Sequence, residues 1–293
     1  MARPSRETAR AKSRWNHRIS CHEAENASTE IYVRGVGSTL DLPNIDPPTS
    51  FHFNGVYIPR EGTSVGFFDV AQLELLPGPQ GTLYGRSTLG GAVHVTFNRP
   101  DTEAESSGVF EVGDRALRHV TLARNLPLGD AHALRIAADW LQRDGFLATG
   151  ADGADDLSLR LSGLHQPTTS TELYWWVAHA DRDGEAPNLV RRGYNGGRFD
   201  GDPDAFDNAD PWDDRIAPGA PGAGEQHYEN TVAGAELKVE LDRGLALTWL
   251  PSYFRLDWQN DYWLEDIPAL LSADYRQVTN ELRLASAPDD RVQ

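Results

Sequence analysis

From about residue 107 onward, apolar and polar residues alternate along this chain with a period of two. Leu134, Ile136, Ala138 and Trp140 stand against Arg135, Asp139 and Arg143, and Ala233, Ala235, Leu237, Val239 and Leu241 against Glu236, Lys238 and Glu240. Leu282 and Leu284 stand likewise against Glu281 and Arg283. A period of two puts successive side chains on opposite faces of a strand. The pattern predicts strands near 107–112, 117–126, 132–143, 156–165, 171–181, 229–241, 245–258 and 277–286. Upstream the pieces are shorter, at 31–34, 50–54, 55–59, 70–76 and 92–97, with Pro43, Pro47 and Pro48 between the first two.

One apolar and one charged face per strand fits a soluble sheet with one wet side. It fits equally a sheet with lipid outside and water or polar protein inside. The connections separate the two readings. Pro127-Leu128-Gly129-Asp130, 166–170, Asp242-Arg243-Gly244 and Ala287-Pro288-Asp289-Asp290 are tight, whereas 144–155, 182–228 and 259–276 are long and polar; only 113–116 is a short link on that side. Short turns at one end and long loops at the other are the habit of outer-membrane barrels. Trp175, Trp176, Trp249, Tyr253, Trp258, Tyr262 and Trp263, within strands or near their ends, are expected to serve as interface girdles.

Composition narrows the classes. The 293 residues carry a formal charge of −17, which excludes a nucleic-acid partner because phosphates need clustered Lys and Arg. A single cysteine, Cys21, rules out an internal disulfide and a multi-thiolate metal site. Mean hydropathy is −0.51 and no apolar run approaches the length of a membrane helix, which leaves barrel strands untouched as a possibility. Residues 1–28 are basic and irregular, with no apolar segment of a signal peptide, and are expected not to be part of the fold. His17, Cys21 and His22 within them read as incidental rather than as metal ligands. The 182–228 loop reads as a solvated segment, with eleven acidic and five basic residues counted from Asp181 to Tyr228. Asp200, Asp202 and Asp204 begin like a calcium loop, but Ala205 and Pro211 replace its glycine and final glutamate. No nucleophile elbow occurs and the nine histidines are scattered, so neither a catalytic set nor a cofactor or metal is expected.

The 70–76 and 92–97 strands enclose Pro77, Gly78, Pro79, Gly81, Gly85, Gly90 and Gly91, residues that pre-set φ or permit positive values. This loop carries Gln80, Tyr84 and Arg86. It is not a phosphate loop, since Gly81 and Gly85 enclose three residues and Arg86 stands where lysine belongs. Its sequence, GPQGTLYGRSTLGGAV, resembles the signature near the end of the plug domain of TonB-dependent outer-membrane receptors. Arg34-Gly35-Val36-Gly37 and Asn54-Gly55-Val56-Tyr57 resemble two earlier plug motifs in the right order. Asn54 stands where that family usually has Asp, and Pro77 where it usually has Arg.

The resemblance implies a mainly β chain: a small α+β plug portion over 29–100, then antiparallel strands of a transmembrane barrel over 101–293. About eight strands of a barrel of about 22 are expected, so the chain reads as a non-transporting fragment. It further implies residence in the outer membrane among its lipids, TonB as the energy-transducing partner, and gated uptake of a scarce nutrient, commonly a ferric siderophore. Arg34, Gly35, Asn54, Gly55, Gly78, Pro79, Gln80, Gly81, Tyr84, Gly85, Arg86, Gly90 and Gly91 are the signature positions. Arg86 and Glu281 are expected to form a charge latch between plug and barrel. The competing expectation is a soluble or surface β-protein that binds glycans through exposed tryptophans; an enzyme ranks third.

Overall fold

The computed structural model describes residues 19–23, 29–37, 46–64, 67–84, 87–145, 153–185, 194–195, 198–199, 225–264 and 267–286. The chain divides into two compact units, Met1–Val65 with Asp69–Asn98, and Gly66–Phe68 with Arg99–Gln293.

In the first unit β1 (Ile19–Glu23) pairs antiparallel with β2 (Thr29–Val33). This corrects the expectation that all of 1–28 is irregular: a ladder from Ile19↔Val33 to Glu23↔Thr29 needs backbone groups, not an apolar composition. A four-stranded sheet follows, made of β3 (Thr49–Phe53), β4 (Val56–Ile58), β5 (Val70–Pro77) and β6 (Gly91–Phe97) in the order β4-β3-β6-β5. β3 is parallel to β6, and the two outer pairs are antiparallel. A 3-10 turn (Arg60–Ser64) and a one-turn helix α1 (Gly81–Tyr84) lie in the connections. Every residue of β3 is buried, and the Phe53 ring sits 5.2 Å from Phe51 and 5.3 Å from Phe97.

The second unit is an eight-stranded antiparallel sheet. Its strands are β7 (Ser106–Val112), β8 (Arg118–Pro127), β9 (His132–Arg143), β10 (Ala154–Thr168), β11 (Thr171–Glu185), β14 (Glu225–Leu241), β15 (Leu245–Leu264) and β16 (Ile267–Ser286). Between β11 and β14, β12 (Tyr194–Asn195) and β13 (Arg198–Phe199) make a separate two-residue ladder. All eight expected strands are present and joined in chain order. The expected 259–276 loop is overturned, because β15 and β16 pair continuously from Leu245↔Ser286 to Leu264↔Ile267. Gln259, Asn260 and Asp261 look like loop residues, yet ladder bonds do not depend on side-chain polarity. The ends of the 182–228 segment are strand for the same reason. The turns at 128–131, 169–170 and Asp242–Gly244 are short as expected, and 287–290 lies outside the described residues.

Register aligns like residues across strands. One row reads Ile136, Leu161, Val177, Ala233, Tyr253 and Val278, from β9 to β16. Six residues along β9 from Ile136, toward its Arg143 end, the row on the same face reads Gln142, Asp155, Asp183, His227, Gln259 and Ser272. In the apolar row Ile136, Tyr253 and Val278 are exposed, at 47%, 38% and 71%, and Leu161, Val177 and Ala233 are half-exposed. In water each such side chain forgoes about 1.5–3 kcal/mol of burial, whereas lipid restores it. The opposite face holds buried Asn125, Arg135, Ser158, Arg160, Ser162, Asn230 and Asn260. Two of the expected girdle residues need correction here. Trp176 and Trp258 are 3% and 1% exposed and belong to the polar face, because neighbours such as Trp175 and Trp176 cannot share a face of one strand. Trp175, Trp249 and Tyr253 keep the apolar side, while the side chains of Tyr262 and Trp263 lie outside those described.

Gly91 shows most directly what the plug-like loop demands of its glycines. Its φ is +152°, and a Cβ there would meet the Leu76 carbonyl oxygen at 2.5 Å, whereas Gly35 (φ +83°) has open space. Gly91→Ala is expected to lower stability by about 1–3 kcal/mol and Gly35→Ala by about 1 kcal/mol, read from denaturant midpoints. Equal midpoints for the two variants would contradict this account of the loop.

Candidate functional site

The two earlier motifs are tight turns of one kind. Arg34 and Gly35 have φ of 53° and 83°, and Val33 and Val36 exchange both backbone hydrogen bonds at 2.9 and 3.0 Å. Asn54 and Gly55 have φ of 46° and 85° and join β3 to β4 at Phe53↔Val56. Positive φ at both central residues defines the turn whose twist matches a hairpin. Asn54 does more than turn the chain. Its Oδ1 accepts the Phe97 N–H at 3.0 Å, its N–H reaches the Val95 carbonyl at 2.9 Å, and the Gly55 N–H donates to His94 Nε2 at 3.1 Å. An amide oxygen thus takes the acceptor role that a carboxylate at this position would also fill.

The glycine loop closes on itself. Gly78 N–H donates to the Gly90 carbonyl at 2.9 Å, Gln80 N–H to the Thr88 carbonyl at 3.1 Å, and Gly90 N–H to the Pro48 carbonyl at 2.8 Å. Tyr84, at the end of α1, packs its ring 4.9 Å from His52 and 6.4 Å from His94. His52 is buried, hydrogen-bonded to Ser50 Oγ at 3.1 Å. The structure thus gathers Gly78, Gln80, Tyr84 and Gly90 around β3 and β6. Gly85 and Arg86 lie outside the described residues, as do Asp200, Asp202 and Asp204. Glu281 is exposed on β16, where its carboxylate accepts a hydrogen bond from Arg283 Nε.

On the polar face of the second unit, charged side chains hold polypeptide. Arg160, 3% exposed, donates from Nη1 and Nη2 to the Phe68 carbonyl, both at 3.2 Å, with its guanidinium 4.8 Å from the Phe68 ring centre. Phe68 packs on Ala123 and Ala137, small residues that leave room for its ring. Arg99 pairs with Glu172 at 3.1 Å and Glu236 at 3.2 Å and lies 4.2 Å over Tyr174. Asn125 binds the backbone and carboxylate of Asp101 at 2.7 and 3.0 Å. Charge-assisted bonds in a partly dry setting are the stronger ones. None of these residues stood out in the sequence, since each is one polar position among many and its partner lies far away along the chain.

The same register sets an acidic patch on the apolar side, beyond the apolar row. Ligand atoms of Asp181, Asp183 and His227 lie within 4.8 Å of one another. His227 Nδ1 donates to Asp183 at 2.6 Å, which raises its pKa above the ordinary histidine value. Burial opposes this, and the charges of Asp183, Asp181 and Glu229 add to it. When protonated, the imidazole offers no lone pair and the trio is an ion pair rather than a set of metal ligands. A raised folded-state value means that the pair stabilises the fold below the unfolded histidine pKa, and that the benefit is lost as pH rises through the folded value. NMR titration should place the His227 midpoint above that of an unperturbed histidine, and Asp183→Asn should bring it down. An unshifted midpoint would contradict the pairing.

Comparison with known proteins follows the same division. A family model described as TonB-dependent Receptor Plug Domain matches residues 16–92. The pesticin receptor of Yersinia pestis is 34% identical over 130 residues, 43% of this chain and 19% of that protein. The catecholate siderophore receptor Fiu of Escherichia coli K12 is 28% identical over 102 residues, 34% of this chain and 13% of that protein. The crystal structure of the ferric yersiniabactin uptake receptor FyuA of Yersinia pestis superposes with a TM-score of 0.73 at 21% identity, covering 93% of this chain and 42% of that one. The aligned chain thus spans about a fifth or less of these curated relatives and about two fifths of that solved structure. With plug motifs, a barrel-type sheet and these relatives in agreement, residues 16–92 are a TonB-dependent receptor plug domain, and that part with the strands after it is similar to TonB-dependent outer-membrane receptors.

Proposed function

We propose that this chain serves, as part of a longer receptor in the outer membrane of a Gram-negative cell, in the active uptake of a ferric siderophore. The observation that carries the reading is the sequence of two parts on one chain. A glycine-shaped plug segment is followed directly by a sheet with an exposed apolar row and a buried polar face. The relatives named for a ferric yersiniabactin uptake receptor and a catecholate siderophore receptor support a ferric chelate as substrate. In this reading residues 29–100 contribute to the plug, which the family match extends back to residue 16, and 101–293 to the barrel. The eight strands join others to close the wall, and the TonB complex supplies force from the periplasm.

Cells that depend on a receptor containing this sequence should accumulate radiolabelled iron from a ferric siderophore, and dissipating the proton-motive force should reduce accumulation to background. Uptake indifferent to energy would overturn the reading, and energised uptake of cobalamin without any ferric chelate would move the substrate.

The charge latch belongs to the same proposal. Glu281 has the parity of the polar face of β16, with Gln277 and Thr279, and its carboxylate, bound to Arg283, is the proposed partner of a plug arginine at Arg86. Arg86→Ala in the receptor is expected to raise passive conductance in planar bilayers. Unchanged conductance and unchanged uptake together would sink the latch.

A further inference from the structure

We propose that His132 and His165 form a binding site for one divalent transition-metal ion at the short-turn margin of the sheet. The two residues are register partners on β9 and β10. Their ring planes lie 17° from parallel with centres 4.4 Å apart, and the rings meet at their Nδ1 edges, 2.6 Å apart. Each residue stands next to a tight turn. The Leu128 N–H donates to the His132 carbonyl and the Gln166 N–H to the Ala131 carbonyl, both at 2.8 Å. The backbone beneath both rings is therefore fixed before any ligand arrives. His132 is exposed and His165 half-buried, so an ion can reach them.

A neutral imidazole has one N–H and one lone pair. Two Nδ1 atoms this close need something between them, either a proton carried by one of them or a cation that accepts both lone pairs. Metal–nitrogen bonds of about 2.0–2.1 Å put two ligand nitrogens roughly 2.9–3.3 Å apart, from square-planar to tetrahedral angles. The observed 2.6 Å spacing lies about 0.3 Å below the lower end of that range. Imidazole nitrogen suits copper, nickel and zinc, whereas calcium and magnesium demand oxygen ligands. With two protein ligands the remaining positions fall to water, and among divalent ions copper binds most tightly to such a donor set. Binding through both Nδ1 atoms moves any Nδ1 proton to Nε2 of the same ring, so each neutral ring keeps one N–H.

The donor set separates this site from the Asp181, Asp183 and His227 trio, which offers one nitrogen and two carboxylates. The test is Cu²⁺ titration of the folded receptor that contains this sequence, followed by electron paramagnetic resonance. The first equivalent is expected to show hyperfine coupling to two equivalent imidazole nitrogens. His132→Ala and His165→Ala should each remove one nitrogen from the spectrum. Each should also weaken binding by more than the about 10–100-fold typical of losing a mere outer-shell partner. His227→Ala should leave the first equivalent unchanged. Because both positions border solvent, an unchanged far-UV spectrum shows that each variant still folds. A first equivalent bound by one nitrogen or none, or one indifferent to His132→Ala in a folded variant, would leave only an N–H···N hydrogen bond and overturn the proposal.

Discussion

A backbone amide or carbonyl in hydrocarbon has no water to bond with, and leaving it unpaired costs several kcal/mol. Everything in the second unit follows from meeting that demand with strands. Eight consecutive antiparallel strands satisfy one another in chain order, and once paired their side chains must alternate between faces. The apolar row from Ile136 to Val278 and the buried polar residues behind it are two readings of that single geometry. β7 and β16 are the edges of the sheet, where the same demand calls for further strands.

The polar face turns an energetic difficulty into a means of holding chain. A buried arginine is tolerable only when its donors are occupied, and Arg160 gives two of them to one carbonyl of Phe68. Arg99 meets two glutamates and an aromatic face. Within the first unit, Asp69 and Asn98 are joined by backbone and side-chain bonds at 3.1 and 2.8 Å. The β5–β6 segment is thus closed at its base, and Phe68 and Arg99, which flank it in sequence, are bound within the second unit.

Much of this was legible in the sequence because period-two alternation is local and the relevant glycines sit in short motifs. Leu134, Ile136 and Trp140 against Arg135 and Asp139 fix a strand and its faces without any partner being known. Arg34-Gly35 and Asn54-Gly55 fix turns, because few residues other than glycine and asparagine enter positive φ cheaply. Strand ends were less legible. Gln259 to Asp261 are polar in a way that suits a loop, and only pairing with β16 keeps them extended. Cross-strand neighbours were not legible at all where a long connection intervenes. His132 and His165 meet because β9 and β10 pair in one register, and the 144–153 link between them does not set that register from sequence. Arg160 and Phe68, 92 residues apart, met for the same kind of reason.

The central claim is that one face of the sheet meets lipid and the other does not, and neighbouring tryptophans test it most directly. Single-tryptophan versions retaining Trp175 or Trp176 can be reconstituted, in the receptor that contains this sequence, into bilayers of brominated lipid, and their fluorescence compared with that in ordinary lipid. Trp175 should be strongly quenched and Trp176 should not. Equal quenching of the two, or the reverse order, would contradict the account.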